Sequence, residues 1–134
     1  MIATVPLLII PLVIYNMLAF LTPGLGWEAV LISIPMVSSA RLDVTIGDVF
    51  VLMSLVFLFL EIVKATSAST RSIIDHMLST LVFVAALVEF ILVDVAATST
   101  FLILIALMLL DIVAGYSVSI RVARRDFAIE PRAD

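Results

Sequence analysis

The stretch Val30–Asp48, VLISIPMVSSARLDVTIGD, decides the architecture, because it separates two apolar segments long enough to cross a bilayer. If it crossed as well, the sidedness of everything after it would reverse. Its second half alternates polar and apolar residues from Arg41 through Leu42, Asp43, Val44 and Thr45 to Ile46. A period of two belongs to a strand with one wet face. The first half, Val30–Met36, is rich in β-branched residues and carries Ser33 and Pro35, and Val37-Ser38-Ser39-Ala40 reads as a turn. These features predict a short extracytoplasmic β-hairpin over about residues 30–46, lying across the helix ends. A hairpin pairs backbone groups that lipid would leave unsatisfied. It also tolerates Pro35, because both of its strands are edges. The competing reading is a short re-entrant or interfacial helix from Trp27 to Met36. Trp27 suits an interfacial anchor in either case.

Around this stretch the chain is too apolar for a soluble domain. Of 134 residues, 64% are hydrophobic and 13% charged, against about 45–50% apolar content in ordinary globular domains. Lipid must solvate the excess. A span needs roughly 20 mainly apolar residues. Four segments meet that need, at about residues 3–21, 48–64, 75–95 and 98–120, and make a single transmembrane domain over 1–134. The N-terminus lacks the basic flank and small-residue cleavage site of a signal peptide, and reads as a retained first span. Pro6 and Pro11 predict a bend there. Asp48 suits the N-terminus of the second span, Ser72 and Asp75 form a capping-box pattern before the third, and Thr98 or Ser99 can cap the fourth. The connector DVAATST, residues 94–100, forces the last two spans into an antiparallel pair, and the tail DFAIEPRAD reads as a short mobile end.

Charge sorting gives the expected sidedness. Four crossings place Lys64, Arg71, Arg121, Arg124, Arg125 and Arg132 with both termini, and leave only Arg41 opposite. That distribution predicts cytoplasmic termini. The expected fold is therefore an all-α bundle of four transmembrane helices with one hairpin between the first two. The expected place is a bacterial inner membrane.

Ionisable groups inside a span are costly, about 2.5–3.5 kcal/mol for Asp at mid-helix, so Glu61, Glu89 and Asp111 need a reason. Counting depth along the helices puts Asn16, Ser54 and Glu89 in one polar layer. Glu61, Lys64, Thr80 and Asp111 fall in a second, with Ser79 at the same depth and His76 nearby. One reading is a proton or monovalent-cation route, since a carboxylate in low dielectric can exchange protons near neutrality. The plainer reading is that each acid is protonated or paired and holds helices together. Glu61 and Lys64 at i,i+3 spacing invite simple pairing. Ala85 and Ala86 near Glu89, and Ala114 and Gly115 near Asp111, are small residues that let helices approach; Gly115-x-x-x-Ser119 is a small-xxx-small pair. His76 reads as a helix-start residue, Tyr15 and Tyr116 as aromatics near opposite interfaces, and the six methionines as apolar filler.

Several classes are disfavoured. Cysteine is absent, which removes disulfides and thiol chemistry, and His76 is the single histidine. No phosphate-binding Gly-rich loop, G-x-S-x-G or H-E-x-x-H pattern occurs, no basic footprint suggests nucleic acid, and no cofactor or metal site is expected. The expectation is a non-enzymatic membrane protein with a structural or assembly role. It would act through the lipid bilayer with copies of itself or another membrane protein, with Arg41, Asp43 and Thr45 of the hairpin as docking candidates. Transport through Glu89 and Asp111 is the alternative.

Overall fold

The computed structural model describes residues 5–66 and 70–128. In chain order the elements are α1 (Ile9–Leu21), β1 (Val30–Pro35), β2 (Arg41–Thr45), α2 (Ile46–Ala65), α3 (Thr70–Leu92) and α4 (Ser99–Ala128), with a single 3₁₀ turn at Asp94–Ala96. The chain is mostly helical. Three of the helices, over Ile46–Ala65, Ile74–Leu92 and Ser99–Arg121, are long and apolar enough to cross a membrane.

The first helix differs from the expected span. At 13 residues, α1 is about 20 Å long, short of the roughly 30 Å hydrocarbon core. Neither Pro6 nor Pro11 falls in the interior of α1 beyond its first turn. Pro6 lies ahead of the helix, where its carbonyl accepts from Ile9 N at 3.2 Å. Pro11 sits in the first turn, where a missing N–H deprives no intrahelical bond. An irregular strap, Val5–Leu8, completes the distance. Leu7 N donates to Glu61 Oε2 at 2.7 Å and Val5 O accepts from Lys64 Nζ at 2.9 Å, both near the C-terminal end of α2. At the other end, Gly47 N donates to Trp27 O at 2.8 Å. Strap and α1 together therefore run the length of α2.

Two helix starts also differ from expectation. The N-cap of α2 is Thr45, whose hydroxyl accepts from Asp48 N at 3.1 Å while Asp48 Oδ2 accepts from Thr45 N at 2.8 Å. Asp48 is thus the third-residue partner of a capping box rather than the cap itself. Helix α3 already includes Thr70, so Asp75 and His76 lie inside it and not at its start. The side chain of Ser72, like residues 129–134 of the expected mobile tail, is outside the described residues. Thr98 does cap α4, accepting from Phe101 N at 3.1 Å.

The hairpin forms as an antiparallel pair, with Pro35 opposite Arg41, Ile34 opposite Leu42, Ser33 opposite Asp43 and Ile32 opposite Val44. No helix forms over Trp27–Met36. The turn closes with Ser39 N on Met36 O at 3.0 Å and Met36 N on Ala40 O at 2.9 Å. Ser39 takes a left-handed conformation (φ 65°), as three-residue hairpin loops commonly require. One difference concerns placement. The hairpin is anchored at its base by Ile46 N on Ala29 O and does not lie flat across the helix ends. Its apolar residues stay exposed, Ile32 at 55% and Leu42 at 48%.

Tyr15 and Trp27 form the centre of the core. Tyr15 has no exposed surface. It stacks on Trp27 with ring centroids 4.5 Å apart, and Phe50 and Phe101 meet it edge-on at 5.8 and 4.6 Å. Burying the phenol is tolerable because its hydroxyl meets Val95 O at 3.0 Å and Thr98 Oγ1 at 2.6 Å. Each aromatic of this kind contributes roughly 150–250 Å² of burial, so these rings tie α1, the Trp27 loop, α2 and α4 together. Gly47 permits the tightest approach: a Cβ there would meet Thr100 Oγ1 at 2.8 Å and Trp27 O at 3.1 Å.

Candidate functional site

The buried polar groups gather in two layers, one near each end of the bundle. Nearer the hairpin, Asn16 of α1 donates to Glu89 Oε2 of α3 at 3.2 Å and to Leu12 O of its own helix at 3.1 Å. Glu89 Oε1 is buried with no hydrogen-bond partner among the described residues. Ser54 is fully buried but bonds Phe50 O of its own helix at 2.8 Å, so it does not join Asn16 and Glu89 in a network.

The second layer is richer and is the candidate site. Lys64 Nζ lies 2.8 Å from Glu61 Oε1 and 2.9 Å from Asp75 Oδ2. The same ammonium donates to Val5 O. One cation therefore joins α2, α3 and the strap, with hydrogen bonds to Val5 O and Asp75 and an ion pair to Glu61. Both carboxylates are almost wholly buried, whereas Lys64 keeps 20% of its side chain exposed. The aliphatic stem packs inside and the head reaches the rim.

Asp111 of α4 is as buried as these acids, at 2% exposure, yet it is in neither ion pair. It borders a narrow gap with Pro6 and Leu8 of the strap, Ser79 and Val82 of α3, and Met108. Ser79, not Thr80, is the α3 hydroxyl on this face: Thr80 Oγ1 bonds His76 O of its own helix at 2.9 Å. His76 is buried and belongs to the same end, its Nε2 lying 2.9 Å from Ser119 Oγ. A Cβ on Gly115 would sit 2.5 Å from His76 Cε1 and 2.7 Å from Nδ1. Gly115-x-x-x-Ser119 thus seats an imidazole ring.

Of the residues singled out from the sequence, Glu61 and Lys64 pair directly, Asn16 and Glu89 meet, and Asp111 shares the Lys64 end of the bundle without contacting the pair. Of the hairpin candidates, Arg41 is exposed opposite Pro35, and Asp43 accepts a side-chain hydrogen bond from Ser33. Thr45 is the N-cap of α2, its hydroxyl bonded with Asp48. Asp75 and the backbone of Val5 and Leu7 were missed. Asp75, Ser79, Val82 and Ala86 fall at four-, three- and four-residue steps, one face of a helix, and that spacing was the available signal. The strap had none, because its role rests on main-chain groups. Searches against protein-family models, curated proteins and solved structures return no match for this chain.

Proposed function

We propose that this chain is an integral membrane protein of non-enzymatic role that acts by association, with copies of itself or with another membrane protein, through its hairpin. The observation that carries the reading is the unpartnered apolar sheet face of Ile32, Ile34 and Leu42, which the chain leaves exposed beside a core already filled by aromatic rings. Soluble surfaces rarely leave such a patch without a partner. Exposed Leu52, Phe59, Leu81, Ile91 and Leu110 on the long helices support a lipid setting. With the strap and α1 as a further crossing, both termini fall on the Lys64 side, and the lysine and arginine distribution favours the cytoplasm for that side. A bacterial inner membrane fits this arrangement.

The absence of cysteine makes the test clean. Ile34→Cys, treated with a short thiol–aryl azide crosslinker in native membranes, gives a discrete adduct if the hairpin docks on protein. A chain that yields only monomer with the label on Ile34, and likewise on Leu42→Cys, overturns the association reading. Transport is the second reading, favoured by Asp111 lying buried outside both ion pairs. Proteoliposomes of the wild type that pass neither protons nor monovalent cations, across pH and voltage, remove it. Flux lost in Glu89→Gln or Asp111→Asn supports it.

A further inference from the structure

We infer that Asp111 and Ser79 form a proton-binding site, closed by the Val5–Leu8 strap, in which the Asp111 carboxyl is protonated in the folded protein and shares a hydrogen bond with Ser79 Oγ. The inference is independent of the association reading.

Four observations converge on it. First, Asp111 is 2% exposed, and among the described residues the only ion pairs are those of Lys64 with Glu61 and Asp75. Lys64 is already ion-paired with two carboxylates and donates to Asp75 and to Val5 O. Second, Ser79 Oγ is 5% exposed and closes no hydrogen bond among the described residues, although it borders the same gap as Asp111. Third, the gap between them has no room for a water molecule. Fourth, the other described residues that line it are Pro6, Leu8, Val82 and Met108, apolar side chains that offer an ionised carboxylate no partner.

An isolated buried carboxylate costs far more than a neutral acid. Taking up one proton turns the carboxylate into an O–H donor with a carbonyl acceptor beside it. Ser79 Oγ can then accept from that O–H or donate to the carbonyl oxygen. Either way, one proton neutralises the charge and pairs the hydroxyl.

Among the described residues, the titratable groups around Asp111 have other commitments. Glu61 and Lys64 of α2 pair with each other, Asp75 of α3 pairs with Lys64, and His76 of α3 bonds Ser119 of α4. Neither Asp75 nor Lys64 forms an ion pair with Asp111. The strap carries no titratable side chain. Among the described residues no three His, Asp or Glu side chains are grouped to hold a metal ion, so a proton fits the gap better than a multivalent cation. The strap closes the site by bonds to the neighbouring cluster, Leu7 N on Glu61 and Lys64 on Val5 O, while Pro6 and Leu8 cover Asp111.

The test is infrared difference spectroscopy on the purified protein in lipid nanodiscs, stepping pH with buffer and exchanging choline chloride for sodium chloride. The expected result is a protonated-carboxyl band at neutral pH that is lost in Asp111→Asn, shifted in Ser79→Ala, retained in Glu61→Gln and indifferent to sodium. A spectrum with no band sensitive to Asp111→Asn overturns the inference. So does a band that sodium abolishes, which would make the site one for a metal cation. Should Asp111→Asn fail to fold, Ser79→Ala decides: it keeps the carboxyl, and an unshifted band in that variant also overturns the inference.

Discussion

Replacing Lys64 with methionine tests the energetic centre of the bundle. The side chain contributes one ammonium to Glu61 at 2.8 Å, Asp75 at 2.9 Å and Val5 O at 2.9 Å. Methionine keeps most of the apolar stem, so packing changes little and the loss is mainly electrostatic. Removing one partner of a buried ion pair costs about 3–5 kcal/mol, because the other charge is left uncompensated. Here two carboxylates lose their cation, while 20% exposure of the lysine side chain admits some solvent screening. The expected cost is therefore about 3–5 kcal/mol, and not twice that for two acids. Reversible unfolding in mixed lipid–detergent micelles measures it. The triple variant Lys64→Met, Glu61→Gln, Asp75→Asn removes the uncompensated charge and should recover at least half of the loss. A Lys64→Met protein within about 1 kcal/mol of wild type would mean that the pair behaves like an exposed surface bridge, and the description of this layer would be wrong.

Gly115→Ala places a methyl 2.5–2.7 Å from the His76 ring, an overpacking expected to cost about 1–3 kcal/mol. His76→Ala in the same background should cancel part of that cost, and additive effects in the double-mutant cycle would show that the two residues do not touch. Tyr15→Phe removes a hydroxyl that meets Val95 O and Thr98 Oγ1 while sparing the aromatic stack. A loss of about 1–3 kcal/mol is expected from the buried acceptor left behind, read by the same unfolding measurement, and an unchanged stability would place the hydroxyl in contact with water. Thr45→Ala breaks the capping box of α2 and should cost about 1 kcal/mol, with Asp48→Ala of similar size because each variant leaves one of the two backbone donors, Asp48 N or Thr45 N, without its side-chain acceptor.

The parts of the fold that sequence made legible are those governed by local pattern. Strict alternation from Arg41 to Ile46 corresponds to β2, and the charged or polar borders of the apolar runs mark the long helices to within a few residues. Thr98 acts as the cap its residue type suggested. What pattern could not show is where a side chain's partner comes from. Tyr15 and Trp27 look like interface anchors by composition, but their stacking depends on a loop folding back over α1. Asp75 looks like a cap because an acid near a helix start usually is one, and only the approach of Lys64 from α2 makes it part of an ion cluster. Gly115 and Ser119 look like a helix-packing pair until His76 is found against them. The strap is the extreme case: Val5 and Leu7 contribute through backbone groups, which no residue type announces.

The central claim is that the helices cross a bilayer and carry the hairpin to the face opposite the Lys64 end. Since the chain contains no cysteine, single cysteines at Val37, on the hairpin tip, and at Thr66, just past α2, can be labelled one at a time in intact cells with a membrane-impermeant maleimide. The account predicts that Val37→Cys is labelled from outside and that Thr66→Cys is labelled only after the membrane is opened. Labelling of both positions from the same side, or release of the protein by an alkaline carbonate wash, would contradict it.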